Sequence, residues 1–349
     1  MRWLLYALMA MLFVLNVVGL INHVFTPTVC LPPKDDLMSG AIIFRSYPQQ
    51  NGGFSPIRLP KSVEPQFVQV RQYRNSESGS VYGDVISHSK DRPYGDQDGR
   101  LTNVHETTHG INSYVRNTNS SGRGKINGFY VLEGRGVVVD EPRLTMEDAK
   151  KFVPQTLRAD RWQLYMVQQL RQWNDTPTYI CDEWVAYTNE AAAAVDDVRK
   201  GRYRSPNGMI VDGVYGTLEF SIYTMGLCMA IKEKDPVYWR TNQQFKNFVI
   251  WELKNSQRFF LEGRVMKEFR FEKQDRVLLE FLQGRECEAM RKFVREELEG
   301  AFLDINPAEL KKSLYLREMP RFEIGGIDKN RPIRLNGNVQ SRFCRCRQR

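Results

Sequence analysis

The chain has 349 residues, of which 42% are hydrophobic and 26% are charged. This composition excludes a disordered chain and a small disulfide scaffold, and it allows a core large enough to keep water out of a site. The net charge of +9 would suit an acidic partner, but part of the excess lies in the C-terminal tail beyond Arg331. A solvated surface with a basic tail is therefore expected, and no nucleic-acid partner is predicted.

The N-terminus is predicted to meet a membrane. Residues 3–21 are apolar except for Asn16, and a helix of this length spans about 28 Å, close to the hydrocarbon thickness of a bilayer. Arg2 precedes the run, so the positive-inside preference places the rest of the chain outside the cytoplasm. We predict a transmembrane anchor or signal peptide over 1–25 and a linker over 26–66. The following domain would be membrane-anchored or secreted.

The first half of the chain is predicted to carry the strands. Alternating apolar and polar residues indicate strands, and a glycine between two such runs indicates a hairpin. A turn-rich loop then leads to residues that can cap a helix. The predicted elements are strands over 67–73 and 80–87, a helix from Thr102 or Asn103 to about Arg116, and a hairpin with strands over 129–133 and 135–139 around Gly134.

The second half is predicted to be almost wholly helical. Thr145 and Asp148 have the spacing of a capping pair. Apolar residues at helical spacing then predict helices over 155–173, 178–200, 211–233, 236–262, 265–283 and 285–302. Strands followed by helices indicate an α+β domain. We place this domain over 67–325, with a basic tail over 326–349.

One motif carries the chemistry. The chain has four histidines, and two of them stand four residues apart in His105-Glu106-Thr107-Thr108-His109. On a helix this spacing sets both imidazoles on one face, where both can reach one ion. Glu106 follows the first histidine and can accept a proton from a water that attacks a carbonyl. The motif therefore predicts a zinc site with His105 and His109 as ligands and Glu106 as general base.

The motif resembles that of the zincin metallopeptidases. The resemblance covers about 15 residues around His105–Tyr114 and one later segment. It implies Zn²⁺ as cofactor, a protein or peptide as substrate, and a zincin-like fold with a small strand-bearing N-terminal lobe and a mostly helical C-terminal lobe.

A catalytic zinc site needs a third protein ligand. No histidine follows His109, which excludes the metzincin arrangement, and His88 is a weak candidate. A carboxylate from a later helix remains, as in the gluzincins. Glu183, in Glu-Trp-Val-Ala-Tyr, is similar to the Glu-x-x-Ala segment of lethal-factor-like gluzincins. Glu190, in Asn-Glu-Ala, is similar to thermolysin-like enzymes and is the alternative.

Zincins also stabilise the developing oxyanion with a side-chain donor. With no later histidine, tyrosine is the candidate type, and the candidates are Tyr179, Tyr187 and Tyr223. Metal-bound histidines usually donate their second N–H to another group. The candidates for that role are Asn112, Asp182 and Asn189.

These observations predict a gluzincin-type zinc metallopeptidase that hydrolyses peptide bonds outside the cytoplasm. Two alternatives stay open. One is a non-catalytic envelope or surface interaction protein on a zincin-like scaffold. The other is a zinc amidase that acts on a cell-wall polymer, since the same chemistry attacks any amide.

Overall fold

The structure is a computed structural model that describes residues 64–91, 99–203, 213–269, 272–308 and 310. The predicted anchor or signal over 1–25 lies outside the described residues, as do the linker over 26–66 up to residue 63 and the basic tail over 326–349. The domain predicted over 67–325 is described as far as residue 310.

The described strands form one antiparallel sheet in the order β1-β3-β2. The hairpin around Gly134 is confirmed: Tyr130 pairs with Gly136, and the turn between them places Leu132 and Glu133 at positive φ. The first strand is shorter than predicted. The strands are β1 (Phe67–Gln69), β2 (Ile126–Tyr130) and β3 (Arg135–Asp140).

The strand predicted over 80–87 is wrong, because this segment forms helix α1 (Val81–His88). Ser80 caps the helix: its hydroxyl oxygen accepts the N–H of Gly83 at 2.9 Å. The apolar residues of this segment, which also fit the alternation of a strand, lie along one helical face, where Val85 is fully buried. A short apolar run fits both periods, and here packing against neighbouring helices selected the helix.

The remaining α-helices are α2 (Arg100–Thr118), α3 (Met146–Lys150), α4 (Tyr179–Arg199), α5 (Gly213–Lys234), α6 (Pro236–Thr241), α7 (Gln243–Arg264), α8 (Glu272–Gln283) and α9 (Glu288–Glu297). Helices α4 and α5 confirm those predicted over 178–200 and 211–233. The motif helix α2 is slightly longer than predicted. The capping pair is present: the side chains of Thr145 and Asp148 each accept the backbone N–H of the other.

The single helix predicted over 155–173 is wrong. The segment consists of two 3₁₀ turns with a π-helical turn, Trp162–Gln168, between them. The backbone N–H and the guanidinium of Arg161 both donate to the carboxylate of Glu219 on α5. The backbone N–H of Arg161 is thereby bonded to another helix, whereas a continuous helix over 155–173 would use it for its own hydrogen bonding.

The helices predicted over 236–262, 265–283 and 285–302 are each interrupted or shortened. The first divides at Asn242, whose side-chain oxygen accepts the N–H of Phe245 at 2.9 Å and starts α7. The other two begin with 3₁₀ turns, and α9 ends before Gly300, which has positive φ. The Asn242 cap, which period alone does not reveal, sets the first of these boundaries.

The core lies around α5, whose side chains are buried without interruption from Gly213 to Cys228. Among the described residues, α5 is the one helix long and apolar enough to cross a membrane, and 94% of its most apolar stretch is buried inside the protein. That burial is typical of a core helix. The observed fold is α+β: mostly helical, with a small three-stranded sheet.

Candidate metal centre

The centre lies between α2 and α4, which pack against each other. Val104 and Ile111 are buried and hold one face of α2 in the core. His105 is 7% exposed and His109 is half-buried, so the motif histidines lie where this buried face meets the side of α4. Because the two histidines are four residues apart on the helix, both imidazoles lie on the same face and contact the same neighbouring helix, α4.

Three potential ligand atoms converge here. The Nε2 atoms of His105 and His109 are 3.1 Å apart, and the Oε2 atom of Glu183 lies 3.6 Å from each of them. Ligands on a tetrahedral zinc ion, with bonds of about 2.0–2.1 Å, stand about 3.3 Å from one another. His105, His109 and Glu183 could thus hold a metal ion.

The hydrogen bonding of these three atoms is also consistent with a bound metal ion. Within the described residues, the buried Oε2 atom of Glu183 has no hydrogen-bond partner. A buried charged oxygen without a partner is costly, so it points to an absent cation or water. The two imidazole nitrogens that face this oxygen are ligand atoms that zinc prefers, and zinc often binds them together with a carboxylate oxygen.

Each histidine is oriented by a second carboxylate. Asp182 Oδ1 lies 2.9 Å from His109 Nδ1, and Glu190 Oε2 lies 3.1 Å from His105 Nδ1. A carboxylate oxygen at Nδ1 selects the tautomer that carries hydrogen there, which leaves a lone pair on Nε2. Glu190 therefore contacts the outer nitrogen of His105, and Glu183 is the acid that faces both Nε2 atoms.

The electrostatics of the cluster favour a cation. Burial lowers the pKa of His105, but contacts with Glu183 and Glu190 outweigh this and raise it to about 9. Burial likewise opposes protonation of His109, yet the carboxylates of Glu183 and Asp182 raise its pKa well above the ordinary value. Burial alone would raise the pKa of Glu183, but the two histidines hold it well below its usual range. The same field attracts a metal ion.

Glu106 lies one residue after His105 and is half-buried. Within the described part of the chain, its carboxylate makes no ion pair or hydrogen bond. Gly110, one helical turn later, is exposed, and a methyl group added there would meet no described residue within 4 Å. Within the described residues, this side of α2 is therefore open beside the cluster.

The tyrosine candidates separate by position. The ring of Tyr187 packs edge-on against the ring of His105, with centroids 4.4 Å apart. Tyr223 donates to Glu219, and Tyr179 packs against Trp173. Of the three predicted tyrosines, Tyr187 is the one with a ring contact to the histidines.

Tyr165 was missed by sequence reasoning. Its hydroxyl lies 3.2 Å from that of Tyr187. Tyr187 in turn packs on His105, so Tyr165 lies one residue away from the cluster. Burial and the charge of Glu183 raise the pKa of Tyr165 far above its ordinary value. It belongs to the π-helical turn, an element that often occurs at functional sites, whereas the sequence pattern there predicts an ordinary helix.

His88 lies elsewhere. Its Nδ1 atom is 2.9 Å from the Tyr130 hydroxyl and 3.3 Å from Asp84, so it belongs to a separate polar group. Asn112 and Asn189 lie close to the centre, where Asn112 contacts Asp182 and Asn189 contacts Thr108.

No protein-family model, curated protein or solved structure matches this chain. The side chains of the centre comprise two imidazoles and one carboxylate around a common point, two outer carboxylates that orient the imidazoles, and a glutamate beside them that pairs with no described residue.

Proposed function

We propose that the protein is a zinc-dependent hydrolase that cleaves peptide bonds, with His105, His109 and Glu183 as the metal ligands. The observation that carries the proposal is the convergence of two Nε2 atoms and one carboxylate oxygen within 3.6 Å, where that oxygen has no hydrogen-bond partner among the described residues. Two nitrogens and one oxygen are the ligand set of the His₂Glu catalytic zinc sites, which keep a fourth position open.

A bound zinc ion supplies Lewis acidity, which polarises a substrate carbonyl and makes water a nucleophile at neutral pH. The protein's own residues then manage the proton. Glu106 accepts it from the attacking water and delivers it to the nitrogen of the leaving amine. Its half-buried carboxylate suits this role, because no cationic side chain of the described residues pairs with it.

The hydroxyls of Tyr165 and Tyr187 also support the proposal. They lie 3.2 Å apart, and Tyr187 packs on His105. A hydroxyl aimed at the carbonyl oxygen stabilises the negative charge that develops there during attack. We assign Tyr165 this role, with Tyr187 as the residue that positions it.

The place of action follows from the N-terminus. The apolar run over residues 3–21 supports a domain that works outside the cytoplasm, either anchored or secreted. The open side of α2 at Gly110 supports a substrate that lies along the motif helix.

The test combines metal content with activity. We expect the purified protein to contain about one zinc per chain, and Glu106→Gln to retain it while hydrolysis of a peptide library falls by at least about 100-fold. Glu147→Gln, which changes an exposed carboxylate on α3, is the matched control and should keep full activity. Absence of zinc from the wild type, or full activity in Glu106→Gln, would overturn the proposal.

A further inference from the structure

Tyr130 lies in β2, at the edge of the sheet, and its peptide groups bond to helices. Its N–H donates to Asn112 Oδ1 on α2 at 2.6 Å, and its carbonyl oxygen accepts from Asn189 Nδ2 on α4 at 2.9 Å. Both asparagines are fully buried, at 0% and 2% exposure. The strand is thereby joined to the two helices that form the metal centre.

The bond from Tyr130 fixes which way the Asn112 amide points. A backbone N–H can only donate, so the atom that faces it must be the amide oxygen. The amide nitrogen then faces Asp182 Oδ1, at 2.5 Å, and donates to it. The same Asp182 oxygen lies 2.9 Å from His109 Nδ1. Asp182 Oδ1 therefore accepts one hydrogen bond from Asn112, whose amide is itself bonded to the sheet, and another from His109.

We propose that Asn112 is a positioning residue for the metal centre. It transmits the fixed position of the Tyr130 peptide to Asp182, and Asp182 in turn holds the ring of His109 with its Nε2 atom toward His105 and Glu183. The proposal rests on the proposed zinc binding of this cluster. Such outer partners of a metal-bound histidine typically change metal affinity by about 10- to 100-fold when removed.

Asn189 provides a matched control within the same chain. It bonds the other peptide group of Tyr130, and its amide nitrogen also faces Thr108 Oγ1 at 3.4 Å. Its hydrogen bonds lead to the strand and to Thr108, whereas those of Asn112 lead to the strand and to Asp182. Alanine at either position leaves one Tyr130 peptide group without its partner, but Asn112→Ala alone also removes a donor from Asp182.

The experiment compares Asn112→Ala and Asn189→Ala in the full chain. Zinc dissociation constants are measured by competition with a chromogenic chelator, and melting temperatures are measured on the metal-free proteins. We expect similar losses of melting temperature in the two variants. The zinc dissociation constant should rise by about 10-fold or more in Asn112→Ala and by less than about 3-fold in Asn189→Ala.

The visible spectrum of the Co²⁺-loaded proteins adds a readout of ligand geometry. It should change in Asn112→Ala and stay like the wild type in Asn189→Ala. Should Asn112→Ala not fold, Asn112→Leu takes its place with Asn189→Leu as control, because leucine keeps the branched shape of the side chain. Each variant loses its bond to Tyr130, and only Asn112→Leu also loses the donor to Asp182.

The outcomes separate the two claims. If the wild type binds zinc and both variants weaken it by the same factor, or neither weakens it, Asn112 has no positioning role and the proposed function stands. If the wild type binds no zinc, both the proposed function and this inference are overturned.

Discussion

Glu252 gives the most direct test of the electrostatics of this fold. It lies on α7 with 2% of its surface exposed, and its Oε1 atom has no hydrogen-bond partner within the described residues. Burial raises its pKa from 4.5 to about 8, and a hydrogen bond with Thr188 on α4 offsets this only in part. The carboxyl is therefore expected to be largely protonated in the folded protein at neutral pH.

The sign of the effect follows from proton binding. Between about pH 4.5 and 8 the folded chain holds a proton on Glu252 that the unfolded chain releases. The stabilisation from this proton is complete below the unfolded pKa and is lost as the pH rises through the folded one. At about 1.4 kcal/mol per pKa unit, raising the pKa from 4.5 to about 8 corresponds to at most about 5 kcal/mol.

Glu252→Gln should remove this dependence, because glutamine is neutral at every pH. We expect the variant to match the wild type within about 1 kcal/mol at pH 5 and to exceed its free energy of unfolding by a few kcal/mol at pH 9. Urea unfolding of the metal-free proteins, followed by circular dichroism, measures both values, with Glu147→Gln as the surface control. A difference between variant and wild type that is the same at pH 5 and pH 9 would refute the reasoning.

Three further predictions concern the surroundings of the metal centre. Tyr165→Phe removes the hydroxyl that lies beside Tyr187, and we expect unchanged zinc content with peptide hydrolysis lowered by about 100-fold; an unchanged kcat would contradict the assigned role. Gly216→Ala would place a methyl group in a steric clash with the Tyr187 ring, so urea unfolding should show a loss of about 1–3 kcal/mol. Gly110→Ala, at an open helical position, should instead stabilise the protein by up to about 1 kcal/mol, and a destabilised variant would show a contact at that position.

The motif histidines could be placed from sequence because their relation is local. A spacing of four on a helix puts His105 and His109 on one face whatever the rest of the chain does. The choice between Glu183 and Glu190 was not local. Both acids lie on the side of α4 that faces α2, and helix phase alone does not separate them. Packing of α4 on α2 sets Glu183 at the inner nitrogens and Glu190 at the outer nitrogen of His105, which supports Glu183 as the proposed ligand.

Features that depend on distant bonds escaped prediction. Tyr165 lies in a π-helical turn that follows the bond from Arg161 to Glu219, 58 residues away. The segment over 80–87 was assigned to a strand because eight residues do not separate the two periods, and the Ser80 cap with burial against the core made it helical. The confirmed hairpin and the capping pair at Thr145 are features with local signals.

The two asparagine bonds at Tyr130 also bear on how a long ligand could be recognised. A peptide that extended the sheet beyond β2 would need the outward N–H and C=O of Tyr130, and both are already used by α2 and α4. Displacing these partners would cost about 1–3 kcal/mol for each buried group left unpaired. Main-chain mimicry alone is therefore a poor basis for inhibitors directed at this point, and a zinc-binding group with side-chain contacts along the open flank of the motif helix is the better starting design.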